Sequence, residues 1–445
     1  MRTQTIEGLL DGICQSKPDF SPQRFGHVAA CDSGLLEVSG LAIPVGAIAR
    51  IDDGKGRQLA AEVVGFRNGR TLMMLLGDSV LLRPGMRVRP EGWPGMVRVG
   101  EANLGRAVDG LGHPIDGGAP LARQTLWPVG GQRHGALERT QVDEQFHSGI
   151  RAIDGLTTLG VGQRVGLIAG SGVGKSVLMD MIVAAASADV VVAGLIGERA
   201  REVSDFVAHH MEGEQKERLA VVAVPADHAP NLRLRGAMLA TGLAEYFRSQ
   251  GKRVLLVLDS LTRVAHASRE IGLMLGEPVA ARGYPPSALA TITKLVERAG
   301  RSRSSNGSIT GVYTVLADGD DTNDPVVDTA RAILDGHIVL SRELAQRGHY
   351  PAIDATVSLS RVMDDIVGED HSLMARELRG LIAHYESNRD LLLMGAYKAG
   401  ADPRLDLAIA MRPKIEAFLT QARGQAVSPA EARGQLEQIF ADVEG

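Results

Sequence analysis

Residues 165–179, Val165-Gly-Leu-Ile-Ala-Gly-Ser-Gly-Val-Gly-Lys-Ser-Val-Leu-Met179, run from an apolar stretch into a glycine-rich turn that closes on Lys175-Ser176 and opens a helix. That order of residue types makes a cradle for a nucleoside triphosphate. Backbone N–H groups of such a turn point inward at phosphate oxygens, and the positive end of the following helix adds to the attraction. Gly170, Gly172 and Gly174 carry no Cβ to block the approach, and Ser171, Val173 and Val177 complete the loop around them. Lys175 can then reach the β- and γ-phosphates, and the Ser176 hydroxyl can take one coordination position on Mg²⁺. The strict pattern begins with glycine at position 169; Ala169 stands there in this chain, which requires a negative φ at the first turn.

A phosphate cradle hydrolyses nothing until a metal holder, a water activator and charge stabilisers are added. Leu255-Leu-Val-Leu-Asp259 reads as a buried strand ending in a carboxylate, which places Asp259 to hold the hydration shell of Mg²⁺ opposite Ser176. An aspartate in that position also serves elsewhere as a helix cap. A second apolar run, Val190–Ile196, leads into Gly197-Glu198-Arg199. At the carboxyl edge of a sheet, Glu198 can polarise the attacking water while Arg199 nears the γ-phosphate. Taken alone, Gly-Glu-Arg is equally a structural ion pair.

These groups converge only if a sheet brings the ends of separate strands together. Apolar runs at 164–167, 190–195, 219–224, 254–258, 309–316 and 337–340 alternate with helical stretches through residues 91–365, the pattern of an α/β domain with a mainly parallel sheet. Ahead of it, residues 25–90 show short alternating segments such as 27–30, 60–66 and 71–76, broken by glycine and proline, which predicts a small antiparallel β-barrel. Behind it, residues 366–445 lose the strand pattern, with helices expected over 372–385 and 414–421, hence a helical C-terminal domain. In the tail, residues 1–24, the stripe Ile6, Leu9, Leu10 and Ile13 suits a short amphipathic helix that docks a partner or a membrane, or a frayed tail weakened by two glycines.

The chain has 445 residues, enough for two or three domains, and 44% hydrophobic residues with mean hydropathy near zero describe a globular protein. A net charge of −5 argues against the broad basic surface that non-specific nucleic-acid binding needs. Cys14 and Cys31 are the only cysteines, without metal-ligand spacing, so a reducing compartment is favoured over a disulfide framework. No apolar stretch approaches the roughly 20 residues of a bilayer span, and the N-terminus lacks the organisation of a secretory signal. The expected location is cytoplasmic.

With the run Asp259-Ser-Leu-Thr-Arg263 and the run Gly348-His-Tyr-Pro-Ala-Ile-Asp354 added, the chain resembles the rotary ATPase superfamily, and within it the type III export ATPases. The likeness extends from residue 25 to residue 421 and includes Leu104–Gly112, Gly149–Asp154, Arg282–Ser287 and Leu334–Leu340. The form of the loop at 169–176 and Glu297-Arg-Ala-Gly300 look like the flagellar branch more than the injectisome branch.

The resemblance implies a β-barrel, a RecA-like P-loop domain and a helical domain in that order. It implies a homohexamer with nucleotide between subunits, and Mg²⁺-dependent hydrolysis of ATP that helps unload and unfold export substrates. Its partners would be a stator-like regulator at the N-terminus, a stalk protein in the pore, export chaperone–substrate complexes and the export gate at the inner-membrane face. No nucleic acid is expected. Arg361, in Val357-Ser-Leu-Ser-Arg361, matches the family's arginine finger, which reaches the γ-phosphate held by the adjacent protomer. Tyr350 and Phe418 match the aromatic positions that sandwich adenine. The run 282–287 looks like the loop that faces the pore. Asp364-Asp365 departs from the proline of many relatives, the loop at 301–306 is longer than usual, and Ala281 and Thr293 are further departures; none removes a catalytic group.

Competing readings are an RNA-translocating hexameric helicase, a rotary ATP synthase catalytic subunit and a nucleotide-holding structural subunit. Phe20, Phe25 and Phe66 are the only aromatics in residues 1–90, too few for a single-strand stacking platform, and a purely structural site has no use for Glu198. Asp318-Gly-Asp-Asp-Thr-Asn-Asp324 fails the calcium-loop spacing and reads as an acidic loop. His209-His210 lacks further ligands, and Arg233, Arg235, Arg298, Arg301 and Arg303 are expected in ion pairs or subunit contacts.

Overall fold

The computed structural model describes residues 24–441 except 33, 53–57, 78–81, 133, 134, 139, 212 and 318–323. The stripe at Ile6–Ile13 and most of the acidic loop before Asp324 therefore lie outside the described residues. The chain divides into two compact units, residues 1–94 and 95–445.

In the first unit, β1 (Gly26–Asp32), β2 (Leu35–Ser39), β3 (Ile48–Asp52), β4 (Gln58–Arg67), β5 (Arg70–Leu75) and β6 (Arg87–Glu91) close into a barrel in the order β1-β2-β5-β4-β3-β6. Period-2 alternation turns Val28, Leu36, Val38, Ala49, Ile51, Val63 and Val88 inward, and they form its core. Phe25 is 43% and Phe66 57% exposed, with the Arg87 guanidinium over the Phe25 ring.

The second unit opens with a ribbon of β7 (Met96–Val99) and β9 (Thr125–Pro128), between which runs β8 (Arg106–Val108); β10 (Gln145–Phe146) pairs with β11 (Leu159–Gly160). The main sheet contains β12 (Arg164–Ala169), β13 (Val190–Ile196), β14 (Leu219–Val224), β15 (Arg253–Asp259), β16 (Gly300–Arg301), β17 (Ser308–Leu316), β18 (Gly336–Leu340) and β19 (Leu359–Ser360). Its order is β19-β18-β12-β17-β15-β13-β14-β8, with β16 beside β17. All pairings are parallel except those of β16 and β19. All six expected strands are present; β8, β16 and β19, each two or three residues long, carry too little pattern to be read.

The C-terminal helices, chiefly Glu369–Ser387, Pro403–Leu419 and Pro429–Ala441, share one apolar core with the sheet: Leu378, Met411 and Leu436 belong to the same cluster as Leu167 and Leu178. The helix expected over 414–421 instead spans Pro403–Leu419. Asp402 caps it by accepting from the N–H groups of Arg404 and Leu405, and Pro413 inside it hides its first half from a periodicity argument. In the arginine- and serine-rich stretch after Arg298, residues 303–306 form a turn exposed at 303, 304 and 306, and the chain leading into it is tied down. Arg301 pairs in β16, and Arg298 is bound bidentately to the buried carboxylate of Glu245.

Candidate active site

The cradle forms where β12 hands over to the helix Lys175–Ala185. Gly172 and Gly174 take φ of 77° and 90°, the left-handed region in which only glycine is unstrained. Ala169 is the last residue of β12 and is absent from the left-handed region, so the substitution of the first glycine is met as the negative φ requires. The helix has no side-chain cap at Gly174, leaving its first N–H groups open to an anion. Ser171 stands exposed, Gly170 is buried, and Val173 is 1% exposed, so Val173 has only its backbone to offer a phosphate.

Parallel pairing carries two further strand ends to the same edge. β13 ends at Ile196, and Gly197 at φ 74° turns the chain so that Glu198 enters the site. A Cβ at Gly197 would stand 2.7 Å from the Arg263 Cβ, so the turn demands glycine on both counts. β15 ends at Asp259, whose neighbour Ser260 caps the next helix by accepting from the Arg263 N–H. The cap being Ser260, the Asp259 carboxylate is left for the site. The Lys175 ammonium lies 2.6 Å from Asp259 Oδ1 and 3.6 Å from Glu198 Oε1, and the Thr314 hydroxyl also donates to Asp259. Thr314 had no signal in the sequence beyond an apolar run, because only the pairing of β17 with β15 sets it beside Asp259.

Glu198 is 8% exposed and its Oε1 accepts no hydrogen bond. Burial, followed by the like charge of Asp259, raises its carboxyl to about 7, with Lys175 acting in the opposite sense and Glu202 adding to the rise. A carboxyl poised near neutrality, with one oxygen outside any hydrogen bond, is suited to accept a proton from a water. A cavity of about 500 Å³ opens in front of it, lined by Ser176, Met179, Asp180, Glu198, Asp259 and Arg423 among others. Arg199 does not line this cavity; its side chain is 85% exposed and lies 3.7 Å from Glu202.

Ser176 and Asp259 offer hard oxygen donors on one wall of that cavity. Among the described residues no cluster of three or more His, Cys, Asp or Glu side chains forms a metal cage. Two protein oxygens with the rest of the shell left to water and phosphate is the donor set that fits Mg²⁺. The metal, when bound, would neutralise charge on the phosphates.

Residues 149–360 match the nucleotide-binding domain of the ATP synthase alpha/beta family, and residues 367–438 match the T3SS EscN ATPase C-terminal domain. The flagellum-specific ATP synthase of Pseudomonas aeruginosa is 47% identical over 409 residues, 91% of each chain. The type 3 secretion system ATPase of Pseudomonas syringae pv. syringae is 42% identical over 93% of each chain. The chain belongs to the type III export ATPases. The assembled ATPase EscN of the enteropathogenic E. coli type III secretion system superposes on 93% of the chain, and 99% of its own, with a TM-score of 0.87 at 39% identity. As a member of this family the chain is a P-loop ATPase with barrel, RecA-like core and C-terminal helices. No described helix is long and apolar enough to cross a membrane.

The remaining sites expected from the family likeness separate. Tyr350 is 46% exposed and its ring stands against the cradle: a Cβ at Gly174 would lie 3.4 Å from it. Phe418 does not join it. Its ring is 3% exposed, packed against Gly155 with the Arg151 guanidinium 5.7 Å from its centre, and it lines a different cavity with Arg151 and Gln435. Phe418 belongs to the apolar core, its helical phase within Pro403–Leu419 turning it inward with Ile415 and Leu419, and it does not line the cavity in front of Glu198.

Arg361 lies at the far end of the sheet. Its N–H donates to the Asp335 carbonyl, just before β18, and its guanidinium donates to the Arg331 carbonyl at 3.0 Å. β18 runs from Gly336 to Leu340, level with Ala169 at the start of the cradle. Four residues of strand, roughly 13 Å, therefore separate Arg361 from its own cradle. The decoys resolve as structural contacts: Arg233 binds Glu270, Arg235 the Met96 carbonyl and Arg301 Asp143, while His210 meets Asp180 at 3.1 Å.

Proposed function

We propose that this ATPase works as a ring of six identical subunits, the number taken from the family likeness, in which Arg361 of one protomer completes the site of the next. The observation that carries this reading is the strand length between Arg361 and the cradle of its own chain. A group placed there serves a neighbour's γ-phosphate or none. Lys175 and the open helix N-terminus hold the phosphates, Glu198 takes a proton from the attacking water, Arg199 leaves its exposed pairing with Glu202 to approach the γ-phosphate, and Arg361 offsets the charge developing on the transferred group. ATP and Mg²⁺ are the substrate and cofactor.

The activity serves protein export through a type III apparatus, with substrates unloaded and unfolded at the cytoplasmic face of the inner membrane. The flagellar apparatus is favoured over the injectisome by the 45% and 47% identities to flagellum-specific relatives from Salmonella typhimurium and Pseudomonas aeruginosa. A stalk protein is a proposed partner, since EscN was solved in complex with its central stalk EscO. A stator-like regulator, export chaperones with their cargo and the export gate complete the set. Arg361→Ala should bind ATP normally and lose about 10³–10⁵ in turnover. Mixing Arg361→Ala with Lys175→Ala, one with good cradles and the other with good fingers, should restore phosphate release. Near-normal turnover of Arg361→Ala at a rate independent of protein concentration would overturn the shared site.

A further inference from the structure

With Phe418 turned into the core, the base of a nucleotide held by this cradle lacks the second wall that the sequence had assigned to it. The segment just beyond the helix offers another. Arg423 lines the main cavity together with Ser176, Met179 and Asp180, and its guanidinium lies 3.4 Å from Asp180. The segment is pinned two residues earlier. The Gln421 backbone N–H donates to the Tyr350 carbonyl at 3.0 Å, its side-chain oxygen accepts from the Arg151 N–H, and its amide donates to the Gly149 carbonyl, each at 2.8 Å. Gln421 is 7% exposed, so this anchor is buried. One element thus carries both Arg423 and the tie that holds Tyr350.

The cradle helix gives the spacing between the two. Tyr350 stands against Gly174, at the helix N-cap, and Arg423 stands against Asp180. At 1.5 Å and 100° per residue those anchor points differ by about 9 Å in height and about 120° in angle, and Val177 falls midway between them in both. Val177 is 39% exposed, an apolar side chain left uncovered beside a charged cavity. A planar ring stacked on both faces needs about 7–8 Å between its walls, so the Arg423 guanidinium must leave Asp180 and swing toward Tyr350 over Val177 to close on one. The Arg423 side chain is 59% exposed and its pairing with Asp180 is of the kind that contributes little, so its planar, weakly hydrated guanidinium is available for stacking.

We propose that Arg423 is the second wall of the base site: its guanidinium stacks on a purine whose other face rests on Tyr350 and whose edge lies over Val177. The assignment rests on the reading of the cradle as the ATP site. In this chain a cation–π contact takes the place of an aromatic pair.

The test is equilibrium binding, with Mg²⁺ and the full chain, of ATP and of inorganic tripolyphosphate, which has phosphates and no base. Arg423→Ala should weaken ATP about tenfold and leave tripolyphosphate unchanged. Arg423→Lys should recover little of the loss, because an ammonium has no planar face. Arg433→Ala, at an exposed pair with Glu437 outside the cavity, should hold ATP affinity within about twofold. Equal loss for ATP and tripolyphosphate would make Arg423 a phosphate contact and overturn the proposal. So would unchanged ATP binding in Arg423→Ala, or a loss in Arg433→Ala equal to that in Arg423→Ala. ATP affinity left unchanged by Lys175→Ala would instead overturn the nucleotide reading on which the proposal stands.

Discussion

Two buried ionic clusters sit on the same sheet and are built on opposite principles. Around Glu245, 1% exposed, every oxygen is engaged: Arg298 donates to both carboxylate oxygens at 2.8 Å and Trp127 donates to one at 2.9 Å, while Arg298 also reaches the Val129 carbonyl. Charges balance one to one. Around Lys175, one ammonium faces two carboxylates, Glu198 keeps an oxygen without a hydrogen bond, and the helix above has no cap. A complete cluster holds the β7–β9 ribbon and the helix Pro230–Ser249 together. The incomplete one waits for phosphates, metal and water to complete it. The contrast teaches that burial of charge alone does not mark a site; an unbalanced and undersatisfied burial does.

The comparison breaks most readily at Glu245. Glu245→Ala leaves Arg298 buried without its counter-ion and should cost about 3–5 kcal/mol of stability, read from urea unfolding, while ATP affinity of the folded fraction stays unchanged. A loss confined to ATP binding would merge the two clusters into one functional unit.

Glu198→Gln should do the reverse. Turnover should fall about a hundredfold or more with ATP still bound, and the free protein should become more stable. The sign follows from the raised carboxyl. The folded chain holds the Glu198 proton more tightly than the unfolded chain, so the wild type loses stability as pH rises from 4.5 to about 7 and the glutamine variant does not. The gap between their unfolding midpoints should widen across that window and level off above it. A constant gap would mean that Glu198 titrates alike in both states.

The smallest effect sharpens the comparison. If Glu198 must be ionised to accept a proton, kcat/KM should rise with pH through about 7. Glu202 contributes to holding that carboxyl up, after burial and Asp259. Glu202→Gln should therefore move the acid limb of the profile to lower pH by less than about one unit, a shift that pairwise screening in a partly exposed site allows. An unmoved limb would detach Glu202 from the Glu198 proton.

Much of the site was legible because its signals are local. The cradle at 170–176 is one turn of chain, and Glu198 and Asp259 each end an apolar run, so strand termini could be named before their neighbours were known. Phe418 failed for the opposite reason. Its aromatic type matched a family position, but which way it faces depends on the phase of a helix whose first half Pro413 conceals. Gln421, Arg423 and Thr314 carried no signal of their own, since each acquires its role from a partner far away in sequence.

By itself, then, the sequence determined the residue types and backbone freedoms that chemistry at a phosphate requires: glycine where φ is positive, lysine and serine at a helix start, carboxylates at strand ends. Those are properties of short segments and survive without knowledge of the fold. Only the tertiary structure decided which strand ends adjoin, that one Glu198 oxygen is left without a hydrogen bond, that Phe418 is core, and that Arg361 sits a strand length from its own cradle. Burial and strand order set these, and both depend on pairings between residues tens to hundreds of positions apart, whose geometry no local pattern contains.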